Sequence, residues 1–304
     1  MKGAISQILH GFSWRGEETS SHSPHVRTAL NSNQYMLTVL LAAVPALAMA
    51  IYAGGARVLA MLVVTYFCIG VVEVLFSTFR NQQVDFGTVV SGLLLVLTLP
   101  PQTPLWMVAL GALFAMFFGK AIFGGTGHNL FNPAMLGRCF VLLAYPKLIS
   151  DSLDTLGGGL GVPLTLSFGD VGYTAALIPV IIGGAVLIYT RVAAWRTVLG
   201  TVGFGCALSL VLWLVGAGSH TLLTLPFYAG FLFGAIFIAT DPVSSPNTSV
   251  GQWIYGALVG VLAVVITMLA TYGEGMLFAI LVGNLFTPTI DQAVLNVRFR
   301  GYGL

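Results

Sequence analysis

The chain has 304 residues, of which 57% are hydrophobic and only 7% are charged, and its mean hydropathy is +0.93. A soluble domain carries about 25% charged residues, so this composition excludes a soluble protein and predicts an integral membrane protein in contact with lipid. The formal net charge of +2 is too small to indicate a nucleic-acid-binding protein.

In chain order, residues 1–34 are polar and lack the apolar run of a cleaved signal peptide, so we expect a cytoplasmic N-terminal segment. Several of the apolar segments that follow reach the roughly 20 residues that a membrane-spanning helix needs, but 87–100 and 131–146 are short. The segments lie at about 35–53, 57–77, 87–100, 105–123, 131–146, 173–190, 198–217, 222–240, 252–271 and 276–294.

One short phrase occurs twice, as Asn129-Leu130-Phe131-Asn132-Pro133 and as Asn284-Leu285-Phe286-Thr287-Pro288. Each copy follows a proline turn, at residues 98–101 and 240–242, and a long apolar run. Short segments interrupted by Gly or Pro at matching places in two halves are typical of broken helices near a transporter's binding site. The repeat therefore predicts a transporter-like membrane domain with its functional site between the two halves.

The positions of the cations predict the topology. If all ten segments cross the membrane and the N-terminus is cytoplasmic, only Arg57 and Lys147 lie outside, and Arg138 lies within a segment. This bias favours ten spans with both termini in the cytoplasm. The nine cations then at the inner side are Lys2, Arg15, Arg27, Arg80, Lys120, Arg191, Arg196, Arg298 and Arg300.

Five crossings in each half invert the second half relative to the first, because an odd number of crossings reverses the direction of the chain. The predicted fold is thus all-α, with about ten transmembrane helices in two inverted five-helix repeats that contain short broken helices. The predicted parts are the N-terminal segment 1–34, the first half 35–146, an outer loop 147–172, the second half 173–296 and a tail 297–304.

Three acidic residues, Glu73, Asp241 and Asp291, fall within or at the edge of apolar segments. A carboxylate at membrane depth costs at least ~2.5 kcal/mol, so it normally faces a cavity, a partner or an ion. Asp241 precedes Pro242 and could instead serve the turn. Glu274, in a short polar turn at residues 272–275, is expected to be solvated.

The glycine-rich stretch at residues 123–129 precedes the fifth segment, where glycines would let the backbone approach a ligand closely. The alternative is an ordinary turn between membrane helices. The cysteines, at positions 68, 139 and 206, are isolated in apolar runs and lack metal-site spacing. No nucleophile triad, Walker loop or dinucleotide fingerprint is present, so the sequence predicts no catalytic residue, no metal site and no catalysis by this chain alone.

Several motifs resemble the B subunit of the sodium-translocating NADH:quinone reductase and the D subunit of the Rnf electron-transport complex, the NqrB/RnfD family. The resemblance covers nearly the whole chain from residue 23. The motifs are Ser23-Pro24-His25-Val26-Arg27, Val72-Glu73-Val74-Leu75-Phe76, residues 100–106 (PPQTPLW), residues 123–134 (FGGTGHNLFNPA), Ala194-Trp195-Arg196, residues 239–243 (ATDPV) and Asn284-Leu285-Phe286.

The resemblance implies a multi-pass subunit of a respiratory redox complex in the bacterial inner membrane, coupling electron transfer to Na+ or H+ movement with other Nqr/Rnf-like subunits. In that family, residues matching Glu73, Asp241 and Asp291 are linked to ion passage, and Gly70 matches one glycine of a quinone-binding pair whose second position is Ile69 here. Flavin or quinone contacts are expected at Gly70, Gly124, Gly125, Thr126, Gly127, Asn129, Asn132, Pro133 and Asn284.

One departure concerns the flavin. Family members bind FMN through a threonine in a Ser/Thr-Gly-Ala-Thr motif of the outer loop, but no Gly-Ala-Thr occurs here. Ser152 and Thr155 keep the spacing in a different context, so Thr155 is the one candidate for covalent attachment. We therefore expect FMN or riboflavin, where present, to be held non-covalently.

Two alternatives to this interpretation stay open. In the first, the chain is a flavin-free ion-conducting or purely structural membrane subunit on the same fold. In the second, it is an independent channel resembling urea or ammonium conductors, which rests on a similar helix layout alone.

Overall fold

The computed structural model describes residues 32–80, 86–125, 127–149, 173–218, 220–269 and 274–299. Within these ranges the regular structure is helical, without strands. The main helices are α1 (Ser32–Gly54), α2 (Ala56–Arg80), α3 (Phe86–Thr98), α4 (Leu105–Ala121), α5 (Pro133–Ala144), α6 (Tyr173–Tyr189), α7 (Trp195–Leu214), α8 (Ala229–Ile238), α9 (Ser249–Leu269) and α10 (Gly275–Arg298).

Five of these helices, α1, α2, α7, α9 and α10, are long and apolar enough to cross a membrane. A helix of about 20 residues spans the roughly 30 Å hydrocarbon core. The other five are shorter apolar helices, and each of the ten predicted segments corresponds to one of these ten main helices. The prediction of an all-helical membrane protein is confirmed.

Helix contacts within α1–α5 recur within α6–α10. In the first set, α1 packs on α3, α2 on α4, and α4 on α5. In the second set, α6 packs on α8, α7 on α9, and α9 on α10. The two sets meet where α1 packs on α6 and where α5 packs on α10.

Glycine is required at several of these contacts because the backbones approach closely. A Cβ atom on Gly183 in α6 would lie 2.2 Å from the carbonyl oxygen of Ala42 in α1. A Cβ atom on Gly260 in α9 would lie 2.3 Å from the carbonyl oxygen of Thr201 in α7. Small residues at such positions let membrane helices pack through their backbones, where no hydrophobic effect drives association.

Two helices end in a π-helical turn, α4 at Phe117–Ala121 and α8 at Gly234–Ile238. Such turns are rare and often occur at functional sites, since they change the direction in which later side chains point. The first contains Lys120, and the second leads directly into Thr240 and Asp241.

The two copies of the repeated phrase have different local structures. In the first, Asn132 is the N-cap of α5 and Pro133 is its first residue; the Asn132 side chain accepts from the N–H groups of Ala134 (3.0 Å) and Met135 (3.4 Å). In the second, the phrase lies inside the continuous helix α10, with Pro288 in the helix interior. The predicted break is therefore present before α5 but not within α10.

Candidate functional site

A cavity lies where the two sets of helices meet. Its wall is formed by α1, α3, α4 and the start of α5 from the first set, and by α6, α8 and the turn after α8 from the second. Its volume is about 40 Å³; a water molecule needs about 10–15 Å³ by this measure. The cavity thus accommodates a few waters or a small ion, but not a tricyclic flavin. The polar residues in its wall are Tyr35, Ser91, Lys120, Asn129, Asn132, Thr240 and Asp241.

Asp241 is the carboxylate of this cavity. Its Oδ2 accepts hydrogen bonds from Asn132 Nδ2 (3.1 Å) and Ser244 Oγ (3.0 Å), and its Oδ1 accepts one from the N–H of Val243 at 3.4 Å. The bonds to Val243 and Ser244 are the turn chemistry expected of an Asp-Pro sequence. The bond to Asn132 joins the second half of the chain to the first, so Asp241 serves the turn and also faces the site.

The repeated phrases contact each other next to Asp241. With its amide oriented to satisfy its neighbours, Asn284 accepts from the main-chain N–H of Asn132 (3.3 Å). Its two N–H hydrogens face three acceptors, Tyr255 Oη (2.7 Å) and the carbonyls of Ile280 (3.2 Å) and Ser244 (3.3 Å). Asn284 and Tyr255 are fully buried, and a satisfied buried polar network of this kind fixes a single packing arrangement.

A second carboxylate, Glu73 in α2, reaches the cavity wall through Lys120. The Lys120 Nζ atom lies 3.2 Å from Glu73 Oε1 and donates to Thr88 Oγ1 in α3. The Lys120 side chain is 3% exposed and that of Glu73 is 11% exposed. At such a distance the attraction is about 4 kcal/mol or slightly more at an effective dielectric constant of 20. Sequence reasoning had used Lys120 only as an inner-side cation; the signal was its place inside the apolar segment 105–123.

The expectation that Glu274 is solvated is wrong. Glu274, just before α10, is 1% exposed and accepts two hydrogen bonds from Arg138 of α5, one from Nε at 3.2 Å and one from Nη2. Arg138 is 2% exposed, and its Nη1 has no hydrogen-bond partner among the described residues. A charge at this depth requires a partner of opposite sign, and the apolar segment containing Arg138 was the available signal.

Asp291, the third predicted ion-pathway residue, does not line the cavity. It lies in α10 and accepts hydrogen bonds from the N–H groups of Asn247 (2.9 Å) and Thr248 (3.2 Å) and from Thr248 Oγ1. These groups immediately precede α9, so Asp291 satisfies donors at a helix N-terminus, where a negative charge is also favoured by the helix dipole.

The predicted flavin and quinone residues are dispersed. Asn129, Asn132 and Pro133 line the cavity, and Asn284 contacts Asn132. The loop before them has positive φ angles at Gly124 (117°), Gly125 (105°) and Gly127 (93°), which favour glycine. These three glycines do not line the cavity.

Three further predictions concern residues on other parts of the chain. Gly70 lies on α2 with open space beside its Cα. Thr126 and Thr155 are outside the described residues, as is the loop at 150–172.

A model of the NQR2, RnfD, RnfE family matches residues 19–300. The chain belongs to this family. The B subunit of the Na(+)-translocating NADH-quinone reductase of Pseudomonas paraeruginosa is 38% identical over 279 residues, 81% of this chain and 69% of the relative. The corresponding protein of Azotobacter vinelandii has the same identity and coverage. That of Haemophilus influenzae is 38% identical over 263 residues, 75% of this chain and 64% of the relative.

The resemblance seen in the motifs is thereby confirmed. The matched range of the NQR2, RnfD, RnfE family includes both copies of the repeated phrase and all three predicted ion-pathway residues. Membership of this family also weighs against the independent-channel interpretation, which rested on helix layout alone.

Proposed function

We propose that the chain is a membrane subunit of a multi-subunit, Nqr/Rnf-like respiratory redox complex of the bacterial inner membrane, and that its central cavity is a position on the ion path. Family membership supports the first part, since relatives 38% identical are named as the B subunit of a Na(+)-translocating NADH-quinone reductase. The chain depends on partner subunits, because its sequence offers no nucleotide-binding fingerprint for NADH.

The proposed architecture is ten spans in two inverted five-helix repeats, 35–146 and 173–296, with both termini cytoplasmic and the loop 147–172 outside. Three observations support it: the helix contacts within α1–α5 recur within α6–α10, each apolar segment holds a helix, and the cations favour one side. Inverted repeats of this kind place a site at their interface near the middle of the membrane.

The observation that carries the ion-path proposal is the cavity at Asp241, between the two sets of helices. It combines the Asp241 carboxylate with the amide and hydroxyl side chains of Asn129 and Thr240, and its volume suits a small cation with at most a few waters. Hard cations prefer oxygen ligands, and an ionisable residue within a membrane protein usually marks an ion path. Asn132 and Ser244 orient the carboxylate by donating to it.

Asp241→Asn in the assembled complex tests this proposal. We expect Na+ uptake into vesicles to fall at least about 10-fold, because the charge that offsets cation dehydration is lost. Adding a protonophore distinguishes primary Na+ movement, which persists, from H+ movement, which collapses. The matched control is Asp291→Asn, the same chemical change outside the cavity. Wild-type Na+ uptake by Asp241→Asn would exclude this cavity from the path.

The electron-carrying group belongs elsewhere on the molecule, because the described cavity does not fit a flavin. We propose the exposed face of α2 at Gly70 for a quinone, since Phe67 and Val71 beside it are exposed and could contact a molecule dissolved in lipid. The role of the glycine-rich loop in flavin binding rests on the family resemblance.

Flavin content separates this proposal from a flavin-free subunit. We expect the denatured chain to give no fluorescent band on a gel, because the recognition sequence for covalent attachment is absent. Extractable flavin should then exceed what the other subunits bind. A fluorescent band that Thr155→Ala abolishes would contradict non-covalent binding, and a flavin count equal to that of the other subunits would favour the flavin-free alternative.

A further inference from the structure

Lys120 pairs with one carboxylate, Glu73, and shares a cavity wall with the other, Asp241. Its ammonium group contacts Glu73 of α2 and Thr88 of α3, and the residue also forms part of the cavity wall that includes Asp241. A cation entering this cavity therefore meets a fixed positive charge of the protein. The ion path proposed above uses the carboxylate of Asp241 but gives no role to Glu73 or to this ammonium group.

The local backbone fixes the position of Lys120. It lies in the π-helical turn at the end of α4, and its neighbour Gly119 is so close to the start of α5 that an added Cβ would lie 2.8 Å from the Cα of Pro133. The turn thus packs against Pro133, the residue that directly follows the N-cap Asn132. This makes Lys120 part of the site's framework, unlike a lysine on a mobile surface.

The net charge of the site depends on Lys120. With all three groups ionised, the carboxylates of Glu73 and Asp241 and the ammonium of Lys120 carry a net charge of −1, which one monovalent cation neutralises. Without Lys120 the same groups would carry −2 and would retain a cation strongly, since interactions are strengthened in a site with little water. A transport site has to release its ion as well as bind it.

We propose that Lys120 is a positioning residue, a tethered cation that neutralises Glu73 and limits the cavity to one weakly held monovalent cation at Asp241. The inference rests on the proposed ion site at Asp241. It attributes the weak binding of the cation, and hence its release, to the side chain of Lys120. In this arrangement Glu73 acts through Lys120, and Asp241 is the carboxylate that the mobile ion contacts.

The test measures half-saturating Na+ for the purified complex, from its melting temperature against NaCl at constant ionic strength set with choline chloride. Lys120→Met should lower that concentration at least about 10-fold, and Glu73→Gln should raise it at least about 10-fold, because the two changes shift the local charge in opposite directions. Lys120→Arg and the double variant Glu73→Gln/Lys120→Met keep the net charge and should stay within about 3-fold of the wild type.

A merely structural ion pair gives a different pattern: both single variants would lose stability equally in NaCl and in choline chloride, and neither would change half-saturation. That result, or shifts in the same direction, overturns the inference. If the complex with Lys120→Met does not assemble, the inference is tested by Glu73→Gln, Lys120→Arg and the double variant Glu73→Gln/Lys120→Met. If the melting temperature of the wild-type complex does not respond to NaCl, both the proposed ion site and this inference are overturned. If it responds, and Asp241→Asn abolishes the response while the Lys120 and Glu73 variants leave it unchanged, only this inference is overturned.

Discussion

The part of the chain that the structure describes contains two buried ion pairs, with the same kinds of charge in different surroundings. Arg138 and Glu274 are closed off, with 2% and 1% of their side chains exposed, and they form a two-pronged contact between α5 and the start of α10. Lys120 and Glu73 meet at a single contact on a cavity wall, and Glu73 is 11% exposed. The guanidinium is held rigidly, whereas the ammonium lies on a flexible stem.

The difference indicates two uses of buried charge in a membrane. A closed Arg–Glu pair holds two elements in one arrangement, here one from each half of the chain. A Lys–Glu pair on a cavity can exchange its partner with water or with an ion. The first should therefore matter most for stability and the second for ion affinity, and variants of each pair separate the two effects.

The largest expected effect is that of Glu274→Gln on stability. Removing one partner of a fully buried pair costs about 3–5 kcal/mol, because the remaining charge is left uncompensated. Arg138 Nη1 already lacks a partner among the described residues, which should worsen the loss. Thermal unfolding of the purified complex, together with the amount of chain in membranes, measures it.

The matched control is Glu73→Gln, the same chemical change in the cavity-wall pair. Its cost should be smaller, about 1–3 kcal/mol, because Lys120 can turn toward the cavity and remain hydrated. The double variant Arg138→Met/Glu274→Met should recover most of the loss, since apolar replacements of a buried pair are often neutral. Equal losses for Glu274→Gln and Glu73→Gln would remove the distinction between the pairs.

Composition and hydropathy were sufficient to predict a helical membrane protein, because lipid leaves few options for a chain with 7% charge. The repeated phrase contains Asn132 and Asn284, which contact each other. The phrase alone could not show that its first copy caps a helix and its second copy lies within one. The residue at which a helix begins depends on packing as well as on local sequence.

The ion pairs were harder to predict for a different reason. Arg138 and Glu274 are 136 residues apart, and no local pattern links them. Glu274 occurs in a turn composition, Tyr272-Gly273-Glu274-Gly275, that is typical of solvated loops. A stricter count of the charges within apolar segments would have marked Lys120 and Arg138 as cations that need a partner, but it could not have shown which carboxylate each one meets.

Asp291 is a third carboxylate to compare with the two pairs, and its replacement gives the smallest expected effect. It is partly exposed, and it accepts two main-chain N–H bonds and one hydroxyl bond ahead of α9. Asn keeps an acceptor but loses the charge, so Asp291→Asn should cost about 1 kcal/mol, as loss of a helix cap does. Amide hydrogen exchange around residues 247–251 should accelerate roughly five-fold.

The same variant tests whether Asp291 belongs to the ion path, as the family resemblance implies. Because Asp291 lies outside the cavity and is partly exposed, we expect half-saturating Na+ to stay within about two-fold of the wild type, since salt screens the charge that is lost. A shift as large as that of Asp241→Asn would extend the path from the cavity to the start of α9. In that case the main-chain groups of Asn247 and Thr248 would be path residues too, because they hold this carboxylate in place.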